Sequence, residues 1–200
     1  MSVYPVKIHS PSRPARALDG KIITPEHARF DEARRAWNLA VDQRPAAVVF
    51  PESAQDVAAA VLFARQHGLR VAAQGTGHNA GPLGSLEDTI LLKTERMRGV
   101  QIDPKACLAR VEAGAVWLEV VEAAAQHGLA ALAGSSPDVG VVGYTLGGGM
   151  SWLGRTYGCR RTTSRRSRSS PPTAASSAPT PAASRTCSGR CAAVGAASAS

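Results

Sequence analysis

Apolar and polar positions fall in short blocks along this chain, and the blocks change period in a regular order. Ala46-Ala-Val-Val-Phe50 is an uninterrupted apolar run of strand length. Pro51-Glu-Ser53 then turns the chain into a helical pattern over 54–67, with Ser53 as N-cap, Asp56 at the third helical position and Val57, Val61 and Ala64 on the apolar face. Gly68 ends that helix. Residues 70–73 read as the next strand, which a right-handed helical crossover places parallel to the first, and 89–93 read as a third. Downstream of this βαβ unit, 100–103 and 109–113 read as an antiparallel pair joined by Pro104-Lys-Ala-Cys107. Residues 116–127 follow as an amphipathic helix with Leu118, Val121 and Ala125 inward, ended by Gly128. Upstream, Thr24 as N-cap and Pro25 in the first turn predict a helix that buries Phe30 and Trp37, seven residues apart on one face, and Arg44-Pro45 closes it.

Two glycine clusters interrupt this pattern. The first is Gln74, Gly75, Thr76, Gly77, His78 and Asn79, which lies at the carboxyl end of the 70–73 strand, where open α/β sheets bind ligands. Two glycines bracketing one residue allow positive φ and leave no Cβ in the way, so successive N–H groups can form an anion nest suited to a pyrophosphate, with the His78 imidazole at its edge. The glycines do not follow the G-x-G-x-x-G spacing and do not open a helix directly, which excludes a Rossmann dinucleotide fold. The second cluster places six glycines between Gly134 and Gly149. Such density costs backbone entropy and points to close backbone approach by a ligand, so this segment is expected to form the second wall of a cofactor site.

Gln74-Gly-Thr-Gly-His-Asn79, Val139-Gly-x-x-Gly-Tyr-Thr-Leu-Gly-Gly-Gly149 and Arg155-x-Tyr-Gly158, in this order, resemble the FAD-binding (PCMH-type) domain of FAD-linked oxidases. These form the vanillyl-alcohol oxidase and p-cresol methylhydroxylase superfamily, and the likeness is to its berberine-bridge-enzyme-like side over residues 40–158. The resemblance implies an α+β fold: a small parallel βαβ subdomain, then an incomplete antiparallel α+β subdomain. It implies FAD as cofactor, with the amides of Gly75 to Asn79 on the pyrophosphate. Gly134, Ser135, Val139, Gly140, Gly143, Tyr144, Gly147, Gly148 and Gly149 would wrap the adenosine and ribityl parts. His78 occupies the position that in many members bonds covalently to the flavin 8α-methyl. Members with a second, cysteinyl bond carry that cysteine where this chain has Ser136, so at most one covalent link is expected. Tyr144, Trp152 and Arg155 read as packing or flavin-supporting residues, and His67 and His127, each before a glycine, as helix-end partners.

Composition divides the 200 residues into 1–44, an N-terminal helical segment; 45–158, the incomplete FAD-binding domain; and 159–200. Residues 1–158 carry 16 Lys and Arg against 15 Asp and Glu, whereas 159–200 carry seven Arg and no acidic residue, so the net charge of +8 belongs almost entirely to the tail. With one sizeable aliphatic residue and no aromatic, the tail is expected to be disordered. It also reads as family sequence in a shifted frame. Taking the third base of each codon with the first two of the next, Arg185 to Ala199 entered from Ser184 can give Pro-Asp-Leu-Phe-Trp-Ala-Leu-Arg-Gly-Gly-Gly-Gly-Ser-Phe-Gly. Arg165 to Ala175 can give Ala-Val-Glu-Val-Val-Thr-Ala-Asp-Gly-Arg, and Cys159 supplies the leucine that follows Tyr-Gly in the family. The first two bases of most codons are fixed, so each reread position admits few residues and agreement over two blocks is informative. A lost base near codons 158–159 is inferred. Cys159, Cys187, Cys191 and the tail arginines then carry no selected role, and a basic nucleic-acid-binding protein ranks lowest among the readings.

The cysteines show neither metal-ligand spacing nor a histidine partner, so no metal is expected. Nothing reaches signal-peptide or membrane-spanning length, which makes a cytoplasmic protein the default. The expected activity is that of a FAD-dependent oxidoreductase passing substrate hydride to flavin N5. The small-molecule substrate site and any catalytic base would lie in a C-terminal domain beyond residue 200, and this chain would be an inactive fragment. A non-catalytic flavin- or nucleotide-binding module is the competing reading.

Overall fold

A computed structural model describes residues 18–157 and the backbone of Ala193–Ala196. The βαβ unit forms as the apolar blocks dictate. Strand β2 (Ala47–Val49) leads through Ser53 into helix α2 (Ala54–Gln66), which returns the chain to β3 (Arg70–Gln74), and β4 (Thr89–Lys93) inserts between β2 and β3, parallel to both. A two-residue strand, β1 (Ile22–Ile23), pairs antiparallel with β2 and completes the order β1-β2-β4-β3. The capping box is present: Ser53 Oγ accepts from Asp56 N at 3.2 Å, and Asp56 Oδ2 accepts from Ser53 N at 3.0 Å. That same oxygen takes Lys21 Nζ at 2.8 Å and Glu52 N at 2.9 Å.

Alternation along β4 sets the two cores. Ile90 and Leu92 pack with Ala59, Ala60, Phe63 and Ala64 of α2, while Leu91 faces Val48, Phe50, Leu86 and Ala33 on the other side. Ala64 and the partly buried Val57 belong to α2's inward face as expected, whereas Phe63 fills its centre and Val61 is only half-buried. Gly68, at φ +67°, closes α2, where His67 Nδ1 lies 2.8 Å from Phe63 O in the expected helix-end role.

The second unit pairs β5 (Val100–Asp103) antiparallel with β6 (Leu108–Val111) and packs helix α3 (Trp117–Ala125) on them. Its inward face is Trp117, Val120 and Ala124, while Leu118 and Val121 are 48% and 39% exposed. The expected Leu118, Val121, Ala125 face is therefore out of phase by one residue. The tie of Trp117 N to Val139 O at 3.0 Å and the edge-on contact of its indole with Tyr144, centroids 5.4 Å apart, set the rotation of the helix. Helices α4 (Val141–Leu146) and α5 (Gly154–Tyr157) close the described segment.

Two further expectations change. No helix starts at Thr24: residues 24–29 form turns, and helix α1 is only Phe30–Ala33. The Arg29 N–H bonds to His27 Nδ1 at 3.1 Å, and beyond Ala33 the chain is drawn to the glycine loop by Trp37 N donating to Thr76 O at 3.0 Å. Phe30 is core-side, but Trp37 is 58% exposed. In the tail, Ala193–Ala196 forms strand β7, parallel to β6, where no regular structure was expected. Residues 1–17 and the rest of the tail, where disorder is expected from its composition, lie outside the described residues. Among the described residues no helix is long and apolar enough to cross a membrane, and no group of His, Cys, Asp and Glu is placed to hold a metal.

Candidate functional site

Strand β3 delivers the chain to a turn built against backbone on two sides. Gly77 sits at φ +85°, and a Cβ there would lie 2.9 Å from Ala36 Cβ and 3.0 Å from Gln74 Nε2, so the turn needs glycine for both conformation and space. Gln74 is buried, and neither its Oε1 nor its Nε2 has a hydrogen-bond partner. An amide so placed carries a standing desolvation cost, which a ligand at the turn could relieve. The neighbouring end of β4 carries Lys93, whose Nζ donates to Arg35 O at 2.7 Å and so ties down the segment that supplies Ala36 and Trp37. Burial pushes Lys93 below the ordinary lysine value, against the pull of Glu95 at 3.8 Å.

His78 stands on this turn with partners on three sides. Thr76 Oγ1 lies 2.7 Å from Nδ1, the Trp37 indole stacks on the imidazole at 4.0 Å between centroids and 16° between planes, and Asp138 Oδ2 lies 3.8 Å from Nε2. Trp37 Nε1–H donates to that same Asp138 oxygen at 2.9 Å. Residues 37, 76, 78 and 138, drawn from three segments, therefore form one cluster.

The second glycine cluster meets the first at one point. Val116 and Gly140 form an antiparallel bridge, Val141 N donates to Ala115 O at 3.0 Å, and Leu118 N donates to Pro137 O at 2.9 Å, which fixes residues 137–141 beside the loop. A Cβ on Gly140 would lie 3.7 Å from Thr76 N, so the two glycine segments are in contact. The remaining predicted residues are elsewhere. Gly134 lies under Tyr144, whose ring would be 2.9 Å from an added Cβ and whose hydroxyl donates to Met150 O. Ser135 and Gly143 are exposed, and Gly147 approaches Gly143 O at the end of α4, ahead of Gly148 at φ +106° and Gly149 at φ +47°. A cleft of about 370 Å³ opens beside the turn, lined by Trp37, Gly75, Thr76, Gly114, Arg35 and Arg98 among others. Gly114 is there by necessity, because its Cβ would fall 1.9 Å from Thr94 O. Sequence reasoning missed Trp37, Asp138 and Gly114; Asp138 lies between Gly134 and Gly149, one residue before the Val139 motif, whereas Trp37 was hidden by an apolar spacing that matched a core face.

Residues 45–165 match the family model for the FAD binding domain. The chain belongs to that family. (R)-6-hydroxynicotine oxidase of Paenarthrobacter nicotinovorans is 33% identical over 142 residues, which cover 71% of this chain and 31% of that protein. The crystal structure of 6-hydroxy-D-nicotine oxidase from Arthrobacter nicotinovorans superposes with a TM-score of 0.65 at 30% identity, covering 80% of this chain and 33% of that one. Glucooligosaccharide oxidase from Acremonium strictum, described with a 6-S-cysteinyl, 8α-N1-histidyl FAD, gives a TM-score of 0.64 at 32% identity, covering 74% and 32%. This FAD binding domain thus spans about a third of the length of these relatives, each of them named as an oxidase.

Proposed function

We propose that this chain is the FAD-holding portion of an oxidoreductase and that FAD lies across the junction of the two glycine segments. The observation that carries this is the contact of Gly140 with the Thr76 amide, which joins the two glycine segments beside His78 and the unpartnered Gln74 amide, with a cleft open at Gly75 and Thr76. Gly75 to Asn79 would hold the pyrophosphate through main-chain N–H groups, and Val139 and Gly140 would pack against the adjoining part of the cofactor. When bound, FAD supplies the two-electron chemistry, taking hydride from substrate. The protein's task is to bind, orient and exclude water. His78 is the proposed covalent attachment residue, supported by the histidyl FAD of the glucooligosaccharide oxidase and by the placement of the imidazole at the loop's edge. Ser136 stands where cysteinyl members carry their second bond, which leaves one link.

Substrate recognition belongs to sequence beyond this chain, and we attribute residues 159–200 to a shifted reading frame. The test is a version with the frame restored. Its flavin should remain attached after acid denaturation and fluoresce on a denaturing gel, and His78→Ala should abolish attachment while retaining some noncovalent FAD. Release of all flavin by the restored wild type, or covalent flavin on His78→Ala, would refute the assignment.

A further inference from the structure

We propose that Asp138 and Trp37 form a clamp that fixes His78 as the Nε2–H tautomer, leaving Nδ1 as its nucleophilic nitrogen. The proposal rests on the reading of His78 as the flavin-attachment residue and adds what prepares the ring for it. A carboxylate can only accept, so the Asp138 oxygen 3.8 Å from Nε2 favours a proton on that nitrogen. At that distance it acts through charge rather than as a direct hydrogen bond. Nδ1 then carries the lone pair, to which the Thr76 hydroxyl donates at 2.7 Å in the flavin-free chain and which that hydroxyl must release for attachment. Asp138 is more than half exposed and would not hold one position by itself, but the Trp37 Nε1–H bond at 2.9 Å holds it. The same indole covers one face of the imidazole. One residue therefore restrains both the ring and the charge that polarises it.

Attachment asks for this arrangement. The Nδ1 lone pair forms an N–C bond to the 8α carbon while one 8α C–H bond breaks and its electron pair reduces the flavin by two electrons. The Nε2 proton is released to solvent, and the Asp138 charge offsets the positive charge that develops on the imidazole. Both protons and both electrons then pass to dioxygen as hydrogen peroxide, which restores the oxidised ring. Asp138 and Trp37 are positioning residues in this scheme.

Nitrogen NMR of His78 in the 200-residue chain, without flavin, tests the clamp. The wild type should show a single tautomer, with Nδ1 at the lone-pair shift and Nε2 at the N–H shift. Asp138→Asn keeps an oxygen for the indole N–H but removes the charge. The upfield ring-current shift of the His78 protons should persist in it while both nitrogen shifts move towards a mixture. Trp37→Leu should lose the ring-current shift as well. An Nδ1–H tautomer in the wild type, or nitrogen shifts unmoved by Asp138→Asn, would overturn the proposal. In the frame-restored protein Asp138→Asn should attach bound FAD about a hundredfold more slowly, within the range that a unit charge about 4 Å away contributes between bulk water and a protein surface. An unchanged rate would also overturn it. Because the tautomer is read without flavin, the clamp and the assignment of His78 as attachment site can fail separately.

Discussion

Replacing Gly77 by Ala should be the most costly single-methyl change in the loop of residues 74–79. Two terms add. At φ +85° an L residue gives up about 1–2 kcal/mol that glycine does not. The new Cβ would also stand 2.9 Å from Ala36 Cβ, where apolar carbons prefer about 3.5–4.0 Å, so one backbone must retreat by several tenths of an ångström or more. Forced overpacking of that kind costs about 1–3 kcal/mol. Lys93 makes retreat harder, because its bond to Arg35 O pins the segment that must move. Gly68→Ala is the matched control: its φ is +67° and nothing lies within 4 Å of the added methyl, so only the conformational term applies. Urea unfolding of both variants against wild type, at equal m, should place Gly77→Ala lower than Gly68→Ala by about 1–3 kcal/mol. A difference below about 0.5 kcal/mol, the noise of an ordinary surface substitution, would refute the packing argument.

Asp56→Asn should lower stability at pH 7 by about 1–3 kcal/mol, because a neutral amide oxygen carries no charge for the Lys21 ammonium and accepts more weakly from the two N–H groups. Burial pushes the Asp56 carboxyl up, but hydrogen bonds from Lys21, the Glu52 N–H and Ser53, together with the Lys21 charge, hold it below the ordinary carboxylate value. A depressed folded value means that the contribution is present above the ordinary pKa of about 4 and is lost as pH falls through the folded one, so the gap between wild type and variant should close only in strong acid. A gap that is constant down to the lowest pH at which the fold persists would contradict this. Leu146, Met150 and Trp152, 63%, 83% and 82% exposed, should drive self-association of the chain, measured by light scattering, and Met150→Ser with Trp152→Ser should reduce it; a monodisperse wild-type monomer would count against the idea. Sequencing of the gene across codons 150–165 should reveal the one-base shift, and an intact frame there would remove the account of the tail.

The strands and the main helix were legible because their signals are local. Ser53 and Asp56 announce the start of α2 with their own side chains, and the β4 run Thr89–Lys93 is apolar on both faces because it is buried on both. The Gly75–Gly77 turn was legible because positive φ leaves a mark in residue type. What failed was decided at a distance. The rotation of α3 depends on Trp117 meeting Val139 and Tyr144, and a helix carrying apolar residues at 117, 118, 120 and 121 can face inward in more than one phase. Trp37 shows the same limit. Its spacing from Phe30 suits a buried face, yet Thr76 O and Asp138 supply bonds that outcompete helix formation beyond Ala33, and no pattern within residues 24–38 encodes either partner.

Because the indole of Trp37 reaches Asp138, 101 positions further along the chain, the surroundings of His78 are a late product of synthesis. A nascent chain can curl Gln74 to Asn79 into its turn as soon as β3 and β4 pair, and from Lys93 onward for some forty-five further codons the histidine stands there without its carboxylate. Domains generally fold as units as they emerge. The loop is thus made early and completed late, and a ribosome must carry translation past residue 138 before Asp138 can meet Trp37 and His78.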